Sequence, residues 1–340
     1  MGYHFRNLVF EGGGVKGIAY AGALMELEKR GILDEIIRVG GTSAGAITAT
    51  LVALGYTNKE IAHIVMNMNF EDFLDDKWGV VRDSINFIRF FGWCEGKKFR
   101  DWISDLIKNK LGNKEATFND LIRGNKKVKM KQLYIIGVNL STGYAEVFSH
   151  EHTPRMCIAD AVRISMSIPF IFFSVKGLRG DYYCDGGLMD NYPVKLFDRE
   201  KYIVDRKNAR LTEYYEKHNK TIKSKRISPY VYNKETLGFR LDTDKEIAVF
   251  RDQAEPVQNE IKDIFDYTKA VLGALLNVQN SIHLHSDDWQ RTIYIDTKGV
   301  KTMDFSLSDA KKNELINAGI EGVKKYLEWY DNPLENPVNR

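Results

Sequence analysis

The sequence predicts an α/β domain built on a mostly parallel sheet, and three observations predict it. Short apolar runs alternate with stretches of helical periodicity along the chain. Two successive runs, at 7–10 and 36–39, each stop at a glycine-rich turn from which a helix starts. The 340 residues are 44% hydrophobic and 28% charged, enough apolar material for a sizeable core and too much for a disordered chain.

Asn7 to Phe10 reads as a buried strand that ends on Glu11-Gly12-Gly13-Gly14. Ala19, Ala23, Leu24 and Leu27 then fall at helical spacing as far as Gly31, a plausible stop. Ile36 to Val39 is a second strand, running into Gly40-Gly41-Thr42-Ser43-Ala44-Gly45 and a helix to about Leu54. Thr57 and Glu60 form a capping box ahead of Ile61, Ile64 and Val65. Residues 72–99 are rich in aromatics, among them Trp78, Phe87, Phe90, Phe91 and Trp93, and a helix is expected from Phe99 to Leu111. Leu133 to Leu140 is the clearest buried strand, with 145–148 as its partner. A helix over 158–168 stops at Pro169, and a strand at 182–184 leads to Asp185-Gly186-Gly187. A long amphipathic helix at 261–282, a strand at 291–296 and a helix marked by Ile316, Ile320, Val323 and Leu327 complete the alternation. Residues 198–234 differ: eleven Lys or Arg stand against five Asp or Glu with little apolar periodicity. They are expected to form a charged insertion or flap on a single domain spanning 1–340.

Composition excludes several function classes. Forty-nine basic against 46 acidic residues leave a formal charge of +3, too even to point to nucleic acid, and none is expected as a partner. Cys94, Cys157 and Cys184 are too few and scattered for a disulfide framework or a zinc site, which suits a reducing compartment. The opening MGYHFRNLVF lacks a signal-peptide core, and no run approaches the ~18 apolar residues of a membrane span. A cytoplasmic protein, soluble or peripheral at membranes, is expected.

Gly12-Gly13-Gly14-Val15-Lys16-Gly17 fits G-x-G-x-x-G after a strand and before a helix, the setting of a dinucleotide-binding turn. That reading requires an acidic residue at the end of the second strand, where Gly40 and Gly41 stand instead; Asp34 and Glu35 come before the strand. A plain tight turn is an equal alternative. The third reading is a nest of backbone N–H groups at a helix N-terminus, suited to a developing oxyanion.

The second glycine turn favours the third reading. Gly41-Thr42-Ser43-Ala44-Gly45 is G-x-S-x-G at a strand-to-helix junction, where small neighbours permit a sharp elbow with an exposed hydroxyl. Two such turns on consecutive parallel strands would set a nucleophile beside oxyanion donors. The serine needs a base. His283 and His285, near the end of the long helix, are the histidines in the chain order of an α/β-hydrolase triad, while His150-x-His152 has no carboxylate cluster to complete a metal site. Asp185, followed by two glycines that let another backbone approach, is the remaining candidate, with a plain turn as its alternative.

In this order E-G-G-G-V-K-G (11–17), G-T-S-A-G (41–45) and D-G-G (185–187) resemble the patatin-like phospholipase family. The flanking I-S-M-S-I-P-F (164–170) and D-G-G-L-M-D-N-Y-P-V (185–194) agree, and 236–330 is similar more loosely. The resemblance implies a three-layer α/β/α fold and a Ser–Asp dyad acyl hydrolase with no catalytic histidine, metal or cofactor. Ser43 would be the nucleophile and Asp185 the general base. The turn Gly12, Gly13, Gly14 would hold the oxyanion hole, chiefly through the N–H groups of Gly13 and Gly14. Lys16, Gly17, Gly41, Gly45, Gly186 and Gly187 would support these motifs, Lys16 as a phosphate contact or as the cap of a local carbonyl. Glu11 stands where the family often has Asp, and Lys16 where it often has Arg.

The substrate so implied is a phospholipid or lysophospholipid ester, met in transient contact with a membrane surface. The aromatic segment 78–93 and the basic stretch 199–234 are the two hints of such contact, each with an ordinary packed or solvated alternative. An acyltransferase would share the serine elbow, since both reactions pass through an acyl-enzyme. A non-hydrolytic nucleotide-binding module would be indifferent to loss of Ser43.

Overall fold

Alternate side chains of β1 (Asn7–Phe10) enter two different apolar clusters, so both faces of the central sheet are covered. Leu8 and Phe10 belong to the large core, whereas Val9 packs with Tyr134, Phe197 and Tyr202. The structure, a computed structural model, describes residues 2–73, 92–124, 129–177, 179–224, 226–243 and 287–340, with Ile261, Lys262, Tyr267, Ala270, Val271, Gly273, Ala274 and Gln279 in addition. Most of the aromatic segment 78–93, most of the helix expected at 261–282, and both His283 and His285 lie outside the described residues.

The chain continues through α1 (Ala19–Lys29), β2 (Arg38–Thr42), α2 (Ala44–Ala53), α3 (Asn58–Asn67), β3 (Gly92–Cys94), α4 (Lys97–Leu111) and α5 (Phe118–Arg123). Next come β4 (Gln132–Asn139), β5 (Tyr144–Ser149), α6 (Ile158–Ser165), β6 (Phe170–Phe172), β7 (Val175–Lys176) and β8 (Tyr182–Asp185). The small ribbon strands β9 (Ala209–Arg210) and β10 (Tyr232–Asn233) flank α7 (Glu213–Asn219), and β11 (Thr236–Asp242), β12 (Thr292–Asp296) and α8 (Asp309–Asp331) close the order. In the main sheet the strands lie β12-β11-β1-β2-β4-β8-β7, with β5 also on β4. β12, β11, β1, β2 and β4 run parallel, and β5, β8 and β7 are antiparallel to their neighbours. This mostly parallel sheet with flanking helices is the predicted fold class. Parallel neighbours need crossovers, supplied by α1 between β1 and β2 and by α2 to α5 between β2 and β4.

Two boundaries differ from expectation in a way that shapes the site. β2 starts at Arg38 and continues through Gly40, Gly41 and Thr42, because β1 and β4 hydrogen-bond to both of its edges there. Helix α6 ends at Ser165 and not at Ile168; the Ser167 carbonyl instead accepts the Asp185 N–H at 2.9 Å. The capping box at Thr57 and Glu60 forms as expected.

The charged stretch 198–234 is rooted in the interior. Arg291 is fully buried and grips both carboxylate oxygens of Asp198, at 2.6 and 2.7 Å, while its Nη2 also donates to Asp288 at 2.6 Å. Tyr215 Oη donates to Asp198 as well. Lys201, Lys207, Arg210 and Lys217 pair with Glu151, Asp205, Asp287 and Glu213, so part of the basic charge is matched locally.

Candidate active site

Strand β4 measures out the site. One of its edges is taken by β5 over Tyr134–Asn139. Along the other edge β2 pairs with Gln132–Ile136, and β8 takes over at Gly137–Asn139. β2 is parallel to β4 and β8 antiparallel, so their C-terminal ends meet head to head: Thr42 lies opposite Ile136 and Asp185 opposite Gly137. Ser43 follows Thr42 and therefore arrives at Asp185.

Ser43 Oγ donates to Asp185 Oδ2 at 2.8 Å. The Ser43 backbone stands at φ 53°, ψ −125°, the strained geometry of a nucleophile elbow. Its N–H donates to Ser165 Oγ at 2.9 Å, and Met166 Sδ lies 3.5 Å from Oγ. The elbow requires α2 to start against the sheet: a β-carbon on Gly45 would come within 2.3 Å of the Phe10 carbonyl oxygen, and one on Gly41 within 2.5 Å of Gly45. Gly17 lies beside Ala44 in the same contact, and Gly186 rests against the Ile136 carbonyl.

Ser43 and Asp185 are 5% and 4% exposed. Burial pushes the Asp185 carboxyl up from 3.8 to about 7, against the lowering pull of the Gly187 N–H (2.7 Å from Oδ1) and the Ser43 hydroxyl. A carboxyl titrating there, hydrogen-bonded to a strained serine, has the geometry and proton affinity of a general base–nucleophile pair.

Of the three loop glycines, Gly12 is already engaged: its N–H donates to the Asn191 carbonyl at 3.0 Å. Gly12 is thus corrected from oxyanion donor to support of the loop. Gly13 and Gly14 donate no backbone hydrogen bond to any described residue, and Gly14 has φ 55°. Of the two alternatives for Lys16, the structure has the carbonyl cap: Lys16 is buried, and its Nζ donates to the Leu241 carbonyl at 3.3 Å. Glu11 is buried and accepts from the Leu241 N–H at 2.7 Å and Asn191 Nδ2 at 3.2 Å, tying β1 to β11. Burial raises its carboxyl pKa, and the neighbouring Arg240 opposes that rise.

The sequence reading missed Asn191, Gln279 and Ser165. Gln279 clamps the turn after Asp185, donating to the Gly187 and Leu188 carbonyls at 3.1 and 3.0 Å and accepting the Asn191 N–H at 2.9 Å. Ser165 falls within the I-S-M-S-I-P-F run and Asn191 within D-G-G-L-M-D-N-Y-P-V, but no local signal singles out either residue, or Gln279. His152 Nδ1 lies 2.8 Å from Ser149 Oγ, and His150 packs edge-on to Tyr134, so neither meets the dyad.

A profile of the family described as patatin-like phospholipase matches residues 8–198, more than half of the chain. The chain belongs to the patatin-like phospholipase family. Similarity extends beyond the matched region of this patatin-like chain. The Bacillus subtilis protein YqhO is 28% identical over 336 residues, 95% of this chain and 98% of its own. R571 of Acanthamoeba polyphaga mimivirus is 30% identical over 325 residues, 95% of this chain and 93% of its own. A protein named probable lipid hydrolase 463L, of invertebrate iridescent virus 6, is 25% identical over 197 residues, 57% of this chain and 63% of its own. Among solved structures, VipD from Legionella pneumophila matches with TM-score 0.63 at 18% identity, over 96% of this chain and 67% of that one. A chain of the ExoU–SpcU complex from Pseudomonas aeruginosa gives 0.52 at 21%, over 96% and 52%. At such identities these two structures establish the patatin-like fold alone. Among the described residues no helix is long and apolar enough to cross a membrane.

Proposed function

We propose that this protein is a lipid acyl hydrolase of phospholipase A or lysophospholipase type, in which residues 1–340 act as one catalytic domain. The observation that carries the reading is the 2.8 Å hydrogen bond from Ser43 Oγ to Asp185 Oδ2 at the head-to-head strand ends. As Ser43 Oγ attacks the ester carbonyl carbon, its proton passes to Asp185. The tetrahedral oxyanion is received by the N–H groups of Gly13 and Gly14, each such donor lowering a barrier by ~3–4 kcal/mol. Collapse breaks the carbon–alkoxide bond, and Asp185 returns the proton to the departing alcohol. Water then attacks acyl-Ser43, gives its proton to Asp185, and the carboxylic acid leaves as Ser43 regains that proton. A base titrating at about 7 is ionised enough to act at neutral pH and retains useful basicity. Esters suit it better than amides, since an alkoxide leaves with less help. No metal, cofactor or histidine takes part in these steps.

Membership of a phospholipase family supports a phospholipid or lysophospholipid substrate presented at a membrane surface. The test is Ser43→Ala, assayed by fluorophosphonate labelling read as intact mass and by fatty-acid release from phospholipid vesicles and lysophospholipid micelles. We expect the wild-type chain to gain one adduct and release fatty acid, and the folded variant to do neither. Retained hydrolysis in Ser43→Ala overturns the reading. Acyl transfer to an added alcohol at the expense of water would reassign the enzyme as a transferase.

A further inference from the structure

The residue that joins the two glycine turns is Asn191, and its contacts have a direct bearing on where the loop N–H groups point. Asn191 is 7% exposed and sits between the turns. A β-carbon on Gly12 would lie 2.4 Å from Asn191 Oδ1, and one on Gly187 would lie 2.9 Å from the same atom. Both glycines leave room for the same amide. The same hypothetical β-carbon on Gly12 would lie 3.1 Å from Ser43 Cβ, so the peptide that Asn191 holds runs directly beside the nucleophile.

Asn191 grips Gly12 on both sides. Its main-chain carbonyl accepts the Gly12 N–H at 3.0 Å, and its Nδ2 donates to the Gly12 carbonyl at 3.1 Å. In a planar trans peptide the carbonyl of one residue and the N–H of the next point in opposite directions. Turning the Gly12 carbonyl toward Asn191 therefore turns the Gly13 N–H away from it, and that N–H donates to no described residue. Asn191 is itself held from two directions. Glu11 Oε1 accepts from Nδ2 at 3.2 Å, and Gln279 Oε1 accepts from the main-chain N–H at 2.9 Å.

We infer that Asn191 is a positioning residue that fixes the Gly12–Gly13 peptide plane and so aims the Gly13 N–H at the oxyanion. The inference rests on the acyl-hydrolase reading above. Asn191 touches neither substrate nor reacting atoms; it acts through a peptide. A flexible Gly-Gly peptide rotates easily, and donors aimed in advance are worth far more than donors that must reorient during the reaction. Because Asn191 also lies in the turn that begins at Asp185, one side chain sets the donor in register with the base.

The test compares wild type, Asn191→Ala, Asn191→Asp and Ser43→Ala on a soluble short-chain ester and on the matching thionoester. Sulfur accepts hydrogen bonds poorly, so the ester-to-thionoester rate ratio reports the donor itself. We expect the Asn191 variants to lose about 100-fold in kcat with KM within threefold, and the rate ratio to fall about tenfold. Asn191→Asp places a second carboxylate beside Glu11; should it fail to fold, Asn191→Ala carries the comparison, with folding checked by circular dichroism. A folded Asn191→Ala with kcat within threefold of wild type, or with reduced kcat and an unchanged rate ratio, overturns the inference while leaving the hydrolase reading intact. Hydrolysis that survives Ser43→Ala overturns that reading and the inference with it.

Discussion

Ser43, the residue after β2, and Asp185, the last of β8, are 142 residues apart in the chain and meet where these two strands abut on one edge of β4. The meeting needs no contact between the strands themselves, because each is placed by its own register with β4. The step from Ile136 to Gly137 sets the spacing of the pair. Gly137 also leaves room for Phe148 and Ile164, which a β-carbon there would approach within 2.6 and 2.7 Å.

The buried carboxyl of Asp185 predicts opposite pH trends for activity and stability. In the proposed dyad Asp185 must be ionised to take the serine proton, so kcat/KM should fall about tenfold per pH unit below about 7. Its folded pKa lies above its unfolded value, so the folded state binds the proton more tightly. Ionisation therefore penalises folding: the penalty is absent below about 4, grows from about 4 to about 7, and is complete above that. Asp185→Asn should lose several orders of magnitude in turnover. It should also gain at least about 1 kcal/mol of stability at pH 8, shrinking toward pH 4. Urea denaturation of both proteins at the two pH values measures this, and an equal increment at both would contradict burial as the cause.

The elbow stores strain that can be released. Ser43 at φ 53° occupies backbone space in which non-glycine residues typically cost about 1–3 kcal/mol. Ser43→Gly should relieve that strain, less the ~0.5–1 kcal/mol entropic cost of glycine. A net gain of about 1 kcal/mol in unfolding free energy is expected, together with complete loss of fluorophosphonate labelling. Ser43→Ala keeps the strain and should show no such gain. A Ser43→Gly protein less stable than Ser43→Ala would refute the account.

Arg291 neutralises two buried carboxylates, Asp198 and Asp288. Arg291→Met would take from Asp198 the guanidinium that grips both its oxygens and leave Asp288 with Lys195, whose Nζ lies 3.4 Å away, at an expected loss of about 3–5 kcal/mol. Adding Asp198→Asn and Asp288→Asn should restore a substantial part of it, because the uncompensated charge is then gone. The chemical-denaturation midpoints of the single and triple variants decide the matter; a single variant within about 0.5 kcal/mol of wild type would show that this cluster does not root the charged segment.

Much of the site was legible because its chemistry is local. An elbow serine needs small neighbours on both sides, and Gly41, Ala44 and Gly45 stand there in sequence. A loop presenting successive N–H groups needs glycines, and Gly12, Gly13 and Gly14 are adjacent. The alternation of apolar runs and helical periods likewise carried the α/β class, since each element's pattern is written in its own residues. What stayed hidden depends on partners far away in the chain. Asn191 meets Gly12 across 179 residues, and only the head-to-head register of β2 and β8 brings its turn beside the glycine loop. There the Asn191 carbonyl also accepts the Gly12 N–H, which leaves Gly13 and Gly14 as the proposed oxyanion donors. The charge of Lys16 left a phosphate contact and a carbonyl cap both open, and its buried place beside the Leu241 carbonyl decides for the cap. The charged look of 198–234 concealed an anchor, because Asp198 reads as a surface residue until Arg291 is folded against it. Residue identity determined the chemical groups available; burial and sheet register decided which of them meet.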